Sequence, residues 1–406
     1  MGKWTFWALA ILSILVGSCS AKNGDQATVG APSPGLEARL ESNQAPVVPP
    51  SVVVPASTST TQAPKGSLVI QGAGDTNLDP NYIGALATNG YGHAFSGLDG
   101  IFSRDSFTVV NLECTPSNGG ERQQRPFNFR CDPDALPVLL DHGIEAVNLG
   151  NNHSMDYGSD ALVDGIGLIR NAGLLSAGAG QNRTEAFAAA SYQIDGWSIG
   201  LVGLGGVYLA QDWLATDDKP GMSDGLDLDR AVDAIEQASS DHDLVVVSIH
   251  WCCELETKPN ARNREHAEAF VAAGADIIFG HHHHRLQPLE FIGDTPVFWG
   301  LGNFVWPRLS VAGSTTAIGR VEIEPGGAVN ACLLPVTIVS DGHPELDEPS
   351  VEVCADSDFG VIIAKGAVGA ELIQHRYGWR TPVEAADLGL ATTPSHRAEE
   401  VIRVGS

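Results

Sequence analysis

Apolar runs a few residues long alternate with helical patterns from about residue 65 onward. Strands buried on both faces are near-continuous apolar runs, and their alternation with helices is typical of an α/β domain. The runs predict strands at Ser67–Gln71, Thr108–Leu112, Glu145–Leu149, Ser198–Leu204, Leu244–His250, Asp276–Phe279 and Pro296–Leu301. The helical patterns predict helices at Asp132–Gly143, Ser159–Asn171, Leu228–Ser239 and Asn263–Ala273. We therefore expect an α/β fold.

The pattern changes near residue 315, where strand signals follow one another without a helix between them. Two runs, Thr316–Glu324 and Ala328–Val339, predict antiparallel strands that complete the sheet. After about residue 348 the pattern is mixed, and a helix is predicted near Gly366–His375. We assign residues 66–345 to one folded domain and residues 346–406 to a C-terminal extension.

Residues 1–18 have the layout of a secretory signal peptide. Lys3 precedes the apolar run Trp4–Val16, which is shorter than the roughly 20 residues that a membrane span needs. The segment Leu15–Cys19 resembles a bacterial lipobox, in which cleavage before the cysteine leaves a lipidated N-terminus. The alternative is an ordinary signal peptide cut nearby, with Cys19 lost or incidental. The lipobox predicts an exported lipoprotein of the cell membrane or cell envelope that faces outward.

Residues 19–65 are rich in Pro, Ser and Thr and lack strand or helix periodicity. This composition is typical of a disordered linker, which here would hold the folded domain away from the membrane. The formal net charge of −26 argues against a nucleic-acid partner, because proteins bind phosphate backbones through basic groups.

Six cysteines follow Cys19, and export would permit disulfides among them. Proximity along the chain favours Cys114–Cys131 and Cys332–Cys354. The adjacent pair at positions 252 and 253 is left with three alternatives: a bridge to each other, bridges elsewhere, or free thiols.

Polar side chains follow five of the predicted strands, at the point where each strand ends. In open α/β sheets these carboxyl ends are where binding sites form. Carboxylates, amides and imidazoles together make a ligand set that suits Mn, Zn or Fe. The residues concerned are Asp75, Glu113, Asn151–His153, His250 and His281–His284.

Each of these residues alone has an ordinary structural explanation, as a turn former, a helix cap or a core histidine. The run His281–His284 is the hardest to explain in that way, because neutral imidazole is a common metal ligand. Four consecutive side chains cannot all reach one ion. The alternate pairs His282 and His284, or His281 and His283, would share a face if the segment were extended.

The motifs resemble those of the CapA-type family, named for poly-γ-glutamate capsule biosynthesis. The resemblance spans about residues 67–339, so it implies a CapA-type domain at 66–345. The family is similar to calcineurin-like metallophosphoesterases, which implies a four-layer α/β/β/α sandwich with metal ions at the strand ends. The matching blocks are Gly74–Asp75, Asn111–Glu113, Asn151–Gly158, His250–Trp251, Gly280–Gln287 and Leu301–Phe304.

The resemblance implies a role for each matching residue. His153 would be the catalytic acid or electrostatic stabiliser, and Asp156 would orient its imidazole. Glu113 stands where the phosphoesterases place a bridging Asp. The metal ligands would be Asp75, Glu113, Asn152, His250, His282 and His284. The candidate substrate-binding residues are Asn303, Arg125 and Arg130; the two arginines belong to a basic stretch close to a motif, for which a solvated loop is the alternative.

Three positions depart from the patterns of these families. Asp75 is followed by Thr76 and Asn77, so the Asp-x-His start of the phosphoesterases is absent. The bridging Asp is replaced by Glu113, and His283 stands where CapA-type proteins usually have Pro. The first departure removes one ligand, so one metal ion is as compatible with the sequence as two.

The function implied is metal-dependent hydrolysis of a phosphoester or of an anionic polymer during capsule synthesis, with one or two ions of Mn, Zn or Fe as cofactor. The partners implied are that substrate, the membrane through the lipid anchor, and other capsule-synthesis proteins. The alternative is a non-catalytic surface lipoprotein that binds or helps to export an anionic polymer. A sugar- or peptide-binding lipoprotein is a third hypothesis, but it does not account for the order of the motifs.

Overall fold

The computed structural model describes residues 64–327, 329–347, 353–356 and 361–364. The predicted signal peptide, Cys19, most of the predicted linker and the helix predicted near Gly366–His375 lie outside these residues. The described strands are β1 Leu68–Thr76, β2 Phe107–Leu112, β3 Ala146–Asn148, β4 Leu175–Ala177, β5 Ala179–Gly180, β6 Ala190–Ile194, β7 Trp197–Gly205, β8 Gly221–Met222, β9 Leu244–His250, β10 Ile277–His281, β11 Leu289–Ile292, β12 Thr295–Phe298, β13 Asn303–Val305, β14 Thr315–Ile323, β15 Val329–Ile338, β16 Pro344–Leu346, β17 Val353–Asp356 and β18 Val361–Ala364.

Several described helices begin at a side chain that caps them. Asp227 accepts a hydrogen bond from the backbone of Arg230, and Asn260 accepts one from the backbone of Asn263. Such caps satisfy amide groups that have no partner inside the helix. The helices are α1 Gly84–Asn89, α2 Leu136–Asp141, α3 Gly158–Asn171, α4 Arg183–Phe187, α5 Leu228–Asp241, α6 Ala261–Ala272 and α7 Val311–Ser314.

The described strands form two large sheets and a two-stranded one. The larger sheet has the order β18-β17-β15-β14-β1-β2-β3-β4, with β13 also paired to β1 and β16 to β15. The second sheet has the order β11-β12-β10-β9-β7-β6, and β5 pairs with β8. In the larger sheet, parallel strands β1 to β4 form one half and antiparallel strands form the other. The second sheet has parallel strands at its centre and an antiparallel strand at each edge. The predicted α/β fold is therefore confirmed.

Three clusters of buried apolar side chains account for the packing of the described residues. The first joins the two large sheets, where the ring of Phe279 on β10 packs against Phe298 and covers Gly72 on β1. The second joins the larger sheet to α1, α2 and α3, for example through Leu162. The third joins the second sheet to α5 and α6, for example through Phe270. Both faces of each large sheet are therefore covered, which explains the near-continuous apolar strands in the sequence.

The predicted antiparallel pair near residue 315 is confirmed by β14 and β15. The short strand β13 was not predicted, and the strand expected at Pro296–Leu301 ends earlier, at Phe298. Strands β17 and β18, which fall in the predicted extension, continue the larger sheet from β15.

Disulfides join Cys114 to Cys131 and Cys332 to Cys354, the two pairs that chain proximity favours. The adjacent Cys252 and Cys253 are joined to each other. Among the described residues, no helix is both long and apolar enough to cross a membrane.

Candidate metal centre

Strand register in the larger sheet places four polar residues side by side. Asp75 on β1 is level with Asn111 on β2 and with Asn303 on β13, and Asn111 is level with Asn148 on β3. These side chains are buried, and Asn111 Nδ2 donates to Asp75 Oδ1 at 2.8 Å. The carboxyl ends of parallel strands therefore build one wall of a polar site inside the protein.

The second sheet supplies the imidazoles of the opposite wall. His250 at the end of β9 is level with His281 at the end of β10. Asn111 Nδ2 lies 3.1 Å from His250 Nδ1, so the two sheets meet through this contact. His250 Nε2 is 3.0 Å from Asn152 Oδ1, and the rings of His250 and His282 are 4.6 Å apart.

The four-histidine run divides into two pairs with different partners. His281 contacts Ser248 Oγ at 3.0 Å, and His283 contacts the carbonyl oxygen of Cys252 at 3.3 Å. His282 and His284 instead lie beside the carboxylates of the centre. Both have positive φ, 86° and 50°, so the segment is not extended as the face-sharing argument assumed. A left-handed backbone at two non-glycine residues is uncommon and is found mostly at functional sites.

Glu113 is the buried carboxylate between these walls. Its Oε1 lies 3.7 Å from His250 Nε2 and 3.9 Å from His153 Nε2. Neither of its oxygens has a hydrogen-bond partner among the residues that the structure describes. Asp75 Oδ2 lies 3.1 Å from His284 Nδ1 but is likewise without a hydrogen bond in the described part of the chain. Such carboxylates are costly to bury unless they are paired or bind a cation.

Burial and the neighbouring charges shift the pKa values of the whole group. Burial, followed by the charge of Asp75, raises the pKa of Glu113 well above its ordinary value. Burial opposes ionisation of Asp75 too, but the close contact with His284 and the charge of its imidazole outweigh burial and lower the pKa of Asp75 to about 2.

Among the imidazoles, burial lowers the pKa of His250 well below the ordinary value and that of His282 to about 3. The histidines other than His284 are thus held neutral, with a ring nitrogen available as a ligand.

The donor set fits a divalent cation. Donor atoms of Asp75, Glu113 and His284 lie within 4.8 Å of one another, and so do those of Glu113, His250 and His282. Carboxylate oxygens and imidazole nitrogens together suit Mn, Zn or Fe. Glu113 belongs to both groups, and neither of its oxygens has a hydrogen-bond partner among the described residues.

His153 is held by a chain of polar contacts that starts outside the donor set. Its Nδ1 lies 2.7 Å from Asp156 Oδ2, and Arg125 Nη1 donates to Asp156 Oδ1 at 2.6 Å. The backbone amide of Phe129 also donates to Asp156 Oδ2, at 2.7 Å. Burial lowers the pKa of His153, against the opposing effect of Asp156. The contact with Asp156 leaves Nε2 facing the Glu113 side of the centre.

The three residues assigned to substrate binding have structural partners here. Arg125 binds Asp156 and the carbonyl oxygen of Asn152, with only 9% of its side chain exposed. Arg130 lies on the ring of Tyr157, 3.5 Å from its centroid, and donates to a neighbouring loop carbonyl. Asn303 is bound to His284 Nδ1 at 2.7 Å and donates to the carbonyl of Gly313. Each therefore supports the centre or its loops in this structure.

Two kinds of residue near the centre were not assigned a role from the sequence. Asn111 connects Asp75 to His250, and its place two residues before Glu113, near a strand end, was the available signal. Tyr82, Phe129 and Trp306 form an aromatic wall in which Phe129 contacts His153 and Trp306 contacts His284. Nothing in the local sequence of these aromatic residues marks them, because three separate loops bring them together. The exposed Glu254 also has a carboxylate oxygen near His282 and His284.

Comparison of the sequence with known proteins assigns this chain to a family. The sequence profile of "Bacterial capsule synthesis protein PGA_cap" matches residues 69–308, which include every residue of the centre. The "PGA biosynthesis protein CapA" of Bacillus subtilis (strain 168) is 30% identical over 247 residues, 60% of this chain and 64% of that protein.

Two further relatives are similar over a comparable part of the chain. The "Capsule biosynthesis protein CapA" of Bacillus anthracis is 28% identical over 55% of each chain. A "Probable polyglutamine synthesis accessory protein" of Mycobacterium tuberculosis is 28% identical over 48% of this chain and 54% of its own length. This chain therefore spans less than two thirds of the length of each relative. The predicted CapA-type resemblance is confirmed, and because the profile covers more than half of the chain, the protein belongs to the bacterial capsule synthesis protein PGA_cap family.

Proposed function

We propose that this protein is a metal-dependent hydrolase of the cell envelope that acts on a phosphoester or an amide-linked anionic polymer during capsule or poly-glutamate synthesis. The observation that carries the proposal is the buried Glu113 carboxylate, whose oxygens face imidazoles and have no hydrogen-bond partner among the described residues. The names of the relatives from the two Bacillus species and from Mycobacterium tuberculosis support the polymer class.

The donor arrangement supports one or two ions of Mn, Zn or Fe. Two groups of donors share Glu113, which favours two ions bridged by this carboxylate. Asn77, which stands where the phosphoesterases have a ligating histidine, is an argument against two ions. Its Oδ1 accepts the backbone amide of Asp79 at 2.9 Å, so this oxygen serves a turn. The first ion position accordingly has one protein ligand fewer than the phosphoesterase pattern.

We extend the α/β fold to a four-layer α/β/β/α sandwich of the metallophosphoesterase kind, with residues 66–345 as its core. The support is the order of the three apolar clusters: helices on the larger sheet, sheet on sheet, and helices on the second sheet. In that arrangement the loops after β1, β2, β3, β9 and β10 meet at one end of the sheets.

The chemistry of the proposed reaction is divided between the ion and the protein. A divalent ion supplies polarisation of the scissile phosphoryl or carbonyl group and eases deprotonation of the attacking water. His153 exchanges a proton with the leaving group at Nε2. Asp156 holds Nδ1–H of His153, fixes the tautomer and stabilises the imidazolium when it forms. Arg125 pairs with the Asp156 carboxylate and holds it in place.

The proposal is tested by metal analysis and hydrolysis assays on the purified full chain. We expect the purified protein to contain Mn, Zn or Fe. After metal loading, we expect it to cleave a phosphodiester dye or poly-γ-glutamate. Glu113→Gln should lose metal and activity together, whereas His153→Gln should keep the metal and lose about 10²- to 10⁴-fold in kcat. A suitable control is His242→Gln, because His242 contacts Ser191 and its own helix. Metal-free wild-type protein that still hydrolyses either substrate would refute the proposal.

A second function, non-catalytic binding or export of an anionic polymer, is favoured by Asn77 and by the structural partners of Arg125, Arg130 and Asn303. It predicts that His153→Gln leaves capsule production unchanged in cells. The hydrolase proposal predicts loss of capsule production in the same strain. Capsule yield after complementation therefore separates the two functions.

We also propose that the protein is an exported lipoprotein anchored through Cys19 and facing outward. The support is the lipobox-like segment Leu15–Cys19 and the linker composition that follows it. Cys19→Ser should block labelling by a radioactive fatty acid and move the protein from the membrane fraction to the soluble fraction. Unchanged labelling in that variant would exclude Cys19 as the anchor.

A further inference from the structure

A second group of potential ligands lies apart from the centre described above and shares no residue with it. It consists of His93, Asp341 and His343, whose donor atoms lie within 4.8 Å of one another. We propose that these three side chains bind one divalent transition-metal ion, with Zn²⁺ as the representative ligand. The site joins two segments that are about 250 residues apart in sequence (the separation of His93 and Asp341 is 248).

The distances within the group suit a small cation. His93 Nε2 lies 2.8 Å from Asp341 Oδ2, and His343 Nδ1 lies 2.6 Å from Asp341 Oδ1. Ligands of a tetrahedral ion with bonds of about 2.05 Å are separated by about 3.3 Å. The pairs therefore need to open by less than about 1 Å to admit the ion. The two rings are tilted at 57° with centroids 4.4 Å apart, so they converge on the carboxylate instead of stacking.

The ring nitrogens that face away from the ion position have polar partners of their own. His343 Nε2 lies 3.3 Å from Glu345 Oε1, and His93 Nδ1 lies 3.5 Å from Ser96 Oγ. In protein metal sites the other nitrogen of a ligating imidazole is usually held in this way, which fixes the tautomer and ring orientation. The contact with Glu345 leaves Nδ1 of His343 free to donate its lone pair to a cation.

The backbone holds the two segments together independently of the side chains. Gly97 pairs with Glu345, and the amide of Leu346 donates to the carbonyl of Gly97 at 3.1 Å. A Cβ at Gly97 would lie 2.5 Å from the carbonyl oxygen of Pro344, so only glycine permits this approach. The ligands are thus preorganised on paired backbone, which lowers the cost of ordering them around an ion.

The ligand types and exposure indicate the class of ion. Two imidazoles and one carboxylate suit Zn²⁺ and its neighbours in the first transition row better than Ca²⁺ or Mg²⁺, which prefer oxygen. The side chains of His93, His343 and Asp341 are 20%, 10% and 38% exposed. The site is therefore open to solvent, and water completes the fourth position.

The test counts zinc equivalents in the full chain, purified without a polyhistidine tag and stripped with chelator. The count is made in a Glu113→Gln background, which removes the donor common to both groups of the first centre. We expect this background to retain one zinc equivalent. Asp341→Asn should weaken its binding about 100-fold or more, and Glu345→Gln should weaken it about 10-fold. His242→Gln, which changes a histidine outside both groups, should leave it unchanged.

Two outcomes would overturn the proposal: no zinc bound in the background, or equal affinity with and without Asp341→Asn. If the background or Asp341→Asn fails to fold, the same count is made in otherwise wild-type protein with His93→Gln. The expected loss is then one equivalent, and an unchanged count refutes the site. Because the two proteins of the first comparison both carry Glu113→Gln and differ only at Asp341, failure of the proposed hydrolase function does not affect the result.

Discussion

Replacing Glu113 by Gln should stabilise the metal-free protein and abolish its stabilisation by metal. Glu113 is fully buried with neither oxygen hydrogen-bonded to any described residue, and Asp75 stands close to it. Gln has nearly the same shape but carries no charge that must be neutralised. Since a poorly satisfied buried polar group costs about 1–3 kcal/mol, we expect a gain in unfolding free energy of about 1–2 kcal/mol at pH 7 in chelator. For a domain of this size that corresponds to a Tm increase of about 2–6 °C.

The gain should depend on pH in a defined direction. Because the pKa of Glu113 is raised in the folded protein, the unfolded carboxyl ionises first as the pH rises. The wild type therefore loses stability from about pH 4.3, the unfolded value, up to the folded pKa, whereas the Gln variant has no such loss. The advantage of the variant should be small at pH 4 and should grow toward neutral pH.

The assay is thermal and urea unfolding of both proteins, in chelator and again with Zn²⁺ or Mn²⁺. An ion at 100 times its Kd stabilises the wild type by about 2.7 kcal/mol, and the variant should show little of this. A variant that is less stable than wild type in chelator would mean that Glu113 has native partners that offset its burial. A variant that gains the same stability from metal would show that Glu113 is not a ligand.

Three further changes have defined outcomes. Asp105→Asn should remove a loss of stability that the wild type shows between about pH 4 and pH 8 in urea unfolding, because burial raises the pKa of Asp105 to about 8; an unchanged pH profile would contradict this. Phe279→Ala should lower the unfolding free energy by about 3–5 kcal/mol, since the ring fills the space between the sheets, while the 62%-exposed Phe127→Ala serves as the control and should change it little. Asp156→Asn should reduce kcat about 10²- to 10⁴-fold with metal content unchanged, measured by hydrolysis and metal analysis, because the wrong tautomer of His153 would be held; loss of metal would instead make Asp156 part of the ion site.

The sequence pattern was sufficient to predict the longer strands and to place the candidate site residues at strand ends. Long apolar runs such as β7 and β9 leave little choice but a buried strand, and polar residues at the ends of such strands meet by the geometry of parallel sheets. Asp75, Glu113 and His250 were predicted as ligands from these positions, and the structure places them close together. The three-residue strand β13 was not found, because it is too short to show a period and exists through its pairing with β1.

The choice among neighbouring residues needed the tertiary structure. The residues alone left the pairs His282/His284 and His281/His283 open, and only the family resemblance implied the first pair. In the structure, the turn after β10 places His282 and His284 beside the carboxylates. The basic side chain of Arg125 would suit an anionic substrate, yet in the folded protein it donates a hydrogen bond to Asp156. Such assignments depend on which loop packs against the residue in the folded protein, and a local sequence pattern does not predict this.

The sequence by itself determined the α/β architecture, the family and the strand ends that carry the candidate ligands, because these follow from apolar periodicity and short motifs. Only the tertiary structure decided that Glu113 is buried without a hydrogen-bond partner in the described part of the chain, and that His93 meets Asp341 and His343. Both facts depend on contacts between distant segments. Such contacts form only when the two sheets and their loops pack together. They are therefore determined by the whole fold and not by a local sequence pattern.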